Sequence, residues 1–169
     1  MIEWPSKYEA ERWEVENLIR HYQQLPGGTI FEVVRKEERP DWIVRDRASG
    51  VLVGIELTSV YLDDRSVPDF HKRGGAMELQ CRTTDVAAYG TRVAEAVRKK
   101  ATLARTGYRA DMPLILSVYA NEYVTMHMDS DAWEDAVRQH EEVFDEMQPF
   151  REVIVWPLVN GGVLRIRPS

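Results

Sequence analysis

Between Arg39 and Tyr61, two runs rich in Val, Ile and Leu flank the polar stretch Arg45-Asp46-Arg47-Ala48-Ser49-Gly50. Strand-length apolar runs around a turn containing Ser-Gly predict a β-hairpin. Its strands carry few carboxylates, so Asp41 and Glu56 are the residues that require a reason. Alternation along the second strand puts Ile55 and Leu57 on one face and Glu56 and Thr58 on the other. The strand is too apolar for an exposed edge, and an ionised Glu buried there is costly unless a cation or a donor meets it. Asp41 opens one strand and Glu56 lies near the far end of its partner, so the hairpin can bring them side by side. Two converging carboxylates form a hard-oxygen site suited to a divalent ion such as Mg2+.

The elements around the hairpin follow from periodicity. Ser6-Lys7-Tyr8-Glu9 has the form of a capping box, and Val15, Leu18, Ile19, Tyr22 and Leu25 recur at helical spacing until Pro26-Gly27-Gly28. Glu11 lies on the side of that helix that turns toward the core, either as a solvated edge residue or as a third acidic group, with Glu14 next in order. Thr29 to Arg35 alternates as a first strand. After the hairpin, Leu62 to Asp85 is a long polar segment without a period, and segments of this length inside a domain are functional or disordered. His71, Lys72 and Arg73 beside two glycines could approach a phosphate backbone, although a solvated charge run is the commoner outcome. A second helix is expected from Asp85 to Thr106, stopped by Gly107. Val93, Val97, Lys100, Ala104 and Tyr108 form its stripe, with Lys100 the charged member. Such a lysine commonly snorkels to the surface. Met112 to Tyr119 reads as an interior strand, Ser130 to Met147 as a third helix, and Phe150 to Val159 and Val163 to Arg167 as two closing strands around a turn at Asn160-Gly161-Gly162.

Helix, three strands, helix, strand, helix and two strands is an α/β (α+β) pattern, with a mixed central sheet flanked by helices. The 169 residues, 44% of them hydrophobic, suffice for one domain spanning 1–169. A single cysteine, Cys81, allows no internal disulfide and makes a reducing cytoplasm the expected setting. No leader pattern opens the chain, and no apolar run approaches the roughly 20 residues that span a bilayer. The net charge of −6 is local: Asp129 to Glu146 holds eight acidic residues and one arginine, which leaves 21 basic against 20 acidic residues elsewhere. A nucleic-acid partner is therefore compatible with the composition. His21, His71, His127 and His140 form no recognisable acid–base motif.

At Pro40-Asp41 and Glu56-Leu57-Thr58 the chain resembles the PD-(D/E)XK nuclease superfamily, with Thr58 where the motif has lysine. The order of elements is similar to the αβββαβ restriction-endonuclease-like core, with the last helix and hairpin as additions. The resemblance implies that Asp41 and Glu56 hold Mg2+ or Mn2+, that Glu11 from the first helix supports them, and that the missing lysine is supplied by the second helix. Lys100 fits that role, with Lys99 its less favoured neighbour. Thr58, Lys72, Arg73 and Lys99 are the candidate substrate-binding residues. The implied activity is metal-dependent hydrolysis of nucleic-acid phosphodiesters, DNA ahead of RNA, with no membrane partner and with a homodimer admissible. The alternative, favoured by Thr58, is a catalytically inactive binding or assembly module on the same fold.

Overall fold

A computed structural model describes residues 5–60, 83–108, 111–120, 130–158 and 162–168. The first helix, α1 (Lys7–Gln23), begins at the expected capping box: the Ser6 hydroxyl accepts from the Glu9 amide, and the Glu9 carboxylate accepts from the Ser6 amide at 2.7 Å. Two of the orphan donors at the helix start are thereby satisfied. Then come β1 (Phe31–Lys36), β2 (Trp42–Asp46) and β3 (Leu52–Val60). The β2–β3 turn is tied by the Asp46 carboxylate, which accepts from the Ala48 amide at 2.8 Å and from the Thr29 hydroxyl at 2.7 Å. Gly50 leaves the turn at φ +75°, a conformation that L side chains avoid.

The second helix, α2 (Thr83–Gly107), carries the chain from β3 to β4 (Leu114–Ala120). That connection is what lets β3 and β4 pair in parallel, since a parallel pair cannot be joined by a tight turn. Two short helices, α3 (Ser130–Arg138) and α4 (Glu141–Asp145), precede β5 (Phe150–Trp156) and β6 (Leu164–Ile166). All six strands form one mixed sheet in sequential order, antiparallel over β1-β2-β3 and β5-β6 and parallel over β3-β4-β5.

Helices cover both faces. On one, Val15, Leu18 and Tyr22 of α1 pack on Trp42, Ile55, Leu57 and Trp156; on the other, Tyr89, Val93 and Val97 of α2 meet Leu116, Val118 and Val155, with Trp133 and Phe144 joining them. Among the described residues no helix is long and apolar enough to cross a membrane.

The expected single helix over Ser130 to Met147 is two helices. His140 takes φ −115° and ψ 34°, and α4 restarts after it. At about 100° per residue, Val143 on a continuous helix would lie roughly 240° round from Val137 and face solvent. The break lets Val137, Val143, Phe144 and Met147 all be buried. The expected loop from Leu62 to Asp85 lies mostly outside the described residues, as do Lys72 and Arg73, and α2 begins two residues earlier than its pattern suggests.

Candidate active site

Asp41 stands one residue ahead of β2. Because Trp42 pairs with Ile55, the antiparallel register sets Asp41 opposite Glu56. The Asp41 Oδ2 atom accepts the Leu57 amide at 2.8 Å and so continues the ladder with a side chain where the β2 backbone turns away. Gly54 fixes the preceding residue: a Cβ there would stand 2.5 Å from Pro40 Cγ and 2.6 Å from a Leu114 methyl. The bare backbone lets the Pro40 ring lie against β3, and Asp41 is presented from that anchor.

Glu56 faces α2, as alternation requires, and is 3% exposed. The Lys100 amine reaches its Oε1 atom at 2.5 Å, with the lysine side chain 23% exposed. Thr58, two residues on and half-buried, pairs in register with Val118. Lys99 lies on the outer face of α2 with Glu95, Thr102 and Leu103, turned away from the carboxylates. Thus the lysine of the helical stripe, and not its neighbour, meets the buried glutamate.

From α1, the acid that senses this site is Glu14. Burial, followed by the nearby Asp41 charge, pushes its carboxyl up to about 8, with Lys100 opposing the rise. Glu11, the expected helical acid, is instead held by Lys36 and by Lys7, the latter at 3.5 Å. Three residues apart on a helix, the two acids point roughly 60° apart. The charge on β1 decides which one turns toward Asp41.

Glu56 Oε2 and Glu14 Oε1 are buried without a hydrogen-bond partner among the described residues. A second buried carboxylate gives the contrast. Glu152, 2% exposed, accepts from Tyr22 Oη at 2.6 Å and Arg165 Nε at 2.5 Å, with Arg151 at 3.3 Å and Arg167 at 3.6 Å. Arg151 reaches it because the β4–β5 register shifts there, leaving Arg151 as the extra residue of a bulge. Burial alone would raise the Glu152 pKa, but Arg165 and Tyr22 more than offset it and the net shift is downward. Glu152 is saturated with donors, whereas Glu56 keeps one oxygen open.

Two groups that the sequence did not single out adjoin the carboxylates. Burial, then a hydrogen bond to the Glu56 carboxylate and that carboxylate's charge, raise the Tyr108 phenol above its ordinary range, with Asp41 adding and Arg39 opposing. Arg39 is exposed, and its Nη1 lies 3.2 Å from where a Cβ on Gly107 would stand. Among the described residues no three His, Cys, Asp or Glu side chains are arranged to hold a metal ion.

No family model, curated protein or solved structure matches this chain.

Proposed function

We propose that this chain is a metal-dependent phosphodiesterase acting on nucleic acid, built on the PD-(D/E)XK nuclease plan with the motif lysine moved from position 58 to position 100. The observation that carries the reading is the Lys100 amine at 2.5 Å from Glu56 Oε1, because it returns a lysine to the acidic residue beside Thr58.

The donor set fits Mg2+ or Mn2+. Asp41 and Glu56 are hard oxygen donors on facing strands, and Glu56 Oε2 is a buried acceptor with nothing to accept from among the described residues. Magnesium is commonly held by one or two carboxylates and completed by water and substrate phosphate, so a third protein ligand is not required. Once bound, the ion would withdraw charge from the phosphate and make a water more acidic.

The chain's own groups do the rest. Asp41 is held on the Leu57 amide through one oxygen and offers the other. Lys100, anchored on Glu56, orients the attacking water and donates to a non-bridging phosphate oxygen. Glu14, which at neutral pH carries its proton, adds no third negative charge beside the phosphate. As the water oxygen bonds to phosphorus it gives up a proton to solvent, one ester P–O bond breaks, and the departing alkoxide takes a proton from solvent.

Purified protein with Mg2+ and a DNA or RNA substrate tests this. Lys100→Met should lower cleavage by about 10²-fold or more, the scale of a lost proton-handling or water-orienting group, while calorimetry still records Mg2+ binding. Asp41→Asn should lose both, although its side-chain oxygen can still accept the Leu57 amide. Thr58→Lys in the Lys100→Met background should restore part of the rate. Cleavage undiminished by Lys100→Met would remove the relocated lysine.

The second reading is a non-catalytic binding module, favoured by the lack of a three-ligand cluster among the described residues. It predicts nucleic-acid binding with no metal-dependent cleavage in the wild type.

A further inference from the structure

A second cluster of charge lies on the α1 face of the sheet, at β5 and β6, and it holds more cations than its one carboxylate needs. Arg165 uses all three of its nitrogens on the framework: Nε donates to Glu152 Oε2 at 2.5 Å, Nη1 to the Pro26 carbonyl at 3.0 Å and Nη2 to Tyr22 Oη at 2.8 Å. Tyr22 Oη donates in turn to Glu152 Oε1 at 2.6 Å, so two side chains satisfy both oxygens of the buried carboxylate. The Arg165 guanidinium also lies over the Tyr22 ring, 5.0 Å from its centroid. One cation here neutralises one anion, and the arrangement fastens α1 to β5 and β6.

Arg151 and Arg167 are then surplus. Val153 pairs with Ile166, so the next antiparallel step sets Arg167 opposite Glu152, while the bulge brings Arg151 to the same carboxylate. Their Nε atoms stand 3.3 Å from Oε1 and 3.6 Å from Oε2, and the two side chains are 43% and 60% exposed. Two such contacts and the width of one carboxylate place the Nε atoms no more than about 9 Å apart. Glu141 and Asp145 of α4 line a groove along β6 with Arg167. Even so, among the described residues Arg151 and Arg167 form no ion pair except with Glu152, and their Nη atoms make no hydrogen bond. Three guanidiniums around one carboxylate leave two positive charges over, and like charges this close repel each other.

Two exposed guanidiniums tethered at this separation suit an oxyanion that each can grip through paired N–H groups. Donors about 2.9 Å from the outer oxygens of a single phosphate stand roughly 8 Å apart, which this span accommodates. We propose that Arg151 and Arg167 form a clamp for a backbone phosphate of a nucleic-acid strand, with Glu152, Arg165 and Tyr22 as its rigid mounting. The clamp binds and takes no part in the reaction. Glu152 pairs with Ile115 and Ile115 with Ile55, so it stands two strands, roughly 10 Å, from the neighbour of Glu56, and it faces α1 where Glu56 faces α2. The proposal rests on the nuclease reading for its substrate class but not for its test, which reads binding.

Fluorescence anisotropy with a labelled DNA duplex, and separately with RNA of the same sequence, is measured in EDTA over a range of salt. Arg151→Ala and Arg167→Ala should each weaken binding about fivefold and reduce the slope of log affinity against log salt by about one, and the double variant should reduce it by about two. Arg167→Lys should recover the slope but only part of the affinity, because an ammonium lacks the fork. Arg47→Ala removes the same charge from the exposed β2–β3 turn and should leave affinity and slope unchanged. Urea midpoints of the Arg151 and Arg167 variants should stay near that of the wild type, since Glu152 keeps Arg165 and Tyr22. A lowered midpoint with unchanged affinity would assign both arginines to Glu152 alone, and equal losses in Arg47→Ala would show diffuse attraction. Either result, or no binding of either nucleic acid by the wild type, would overturn the clamp. Cleavage and calorimetry with Mg2+ judge the nuclease reading separately. A chain that binds through Arg151 and Arg167 but takes up no metal keeps the clamp and loses the nuclease, and one that cleaves with an affinity indifferent to both arginines does the reverse.

Discussion

Glu14 shows how one misplaced negative charge couples a site to the stability of its fold. Unfolded, its carboxyl titrates near 4.5; folded, burial and Asp41 hold it near 8. Between those values the folded state binds more protons than the unfolded state, so stability falls as pH rises across the interval and levels off above it. A tenfold change in proton affinity is worth about 1.4 kcal/mol, and partial exposure brings the loss to on the order of 2–4 kcal/mol. Glu14→Gln keeps the neutral shape and removes the titration. Urea midpoints of the wild type should therefore decline across this window more steeply than those of Glu14→Gln, and parallel curves would show that the carboxyl is not perturbed. The same residue marks a limit of sequence reading. Glu11 and Glu14 share a helix face to within about 60°, and only the position of Lys36 on a neighbouring strand separates their roles.

At the scale of elements, α2 is where packing and chemistry meet, and its approach to α3 tolerates no added atoms. A Cβ on Gly90 would stand 2.6 Å from the Ala136 carbonyl oxygen, which belongs to a backbone that cannot swing aside. Gly90→Ala should cost about 1–3 kcal/mol despite its better helix propensity, and chemical denaturation would record the drop; an unchanged or raised midpoint would mean that the helices separate freely. Much of this layer is legible in the sequence. The stripe through Val93, Val97 and Ala104 predicts the inward face of α2, and Ser6 with Glu9 predicts where α1 begins. The break at His140 is not legible, because no Gly or Pro marks it; it arises from the need to bury both Val137 and Val143, which only the folded sheet imposes.

For the whole molecule, the class of the fold follows from the order of elements: three strands, a long helix and a further apolar strand can be reconciled with one sheet only by a crossover. The Asp41–Glu56 pairing is likewise legible, being local to one hairpin. Tyr108 is not, since it ends a helical stripe and becomes a neighbour of Glu56 only when α2 is laid across β3. Nor does periodicity distinguish the two buried glutamates. Glu152 gathers three arginines, Arg151 from β5, Arg165 from β6 and Arg167 just past it, whereas Glu56 has Lys100 at one oxygen and no hydrogen-bond partner among the described residues at the second.

The position of β3, antiparallel to β2 and parallel to β4, also sets a chronology for assembly. The Asp41–Leu57 contact spans 16 residues and the Lys100–Glu56 contact 44, a difference of roughly 0.9 kcal/mol in loop-closure entropy. The acidic pair should therefore come together while the chain is still largely unfolded, and its counter-charge should arrive with the crossover. Stopped-flow folding of Val44→Ala and Val53→Ala should give φ-values above that of Val97→Ala in α2, and the reverse order would place the crossover first. Until that late step Glu56 lacks its Lys100 partner, so divalent ions in the refolding buffer should speed the early phase.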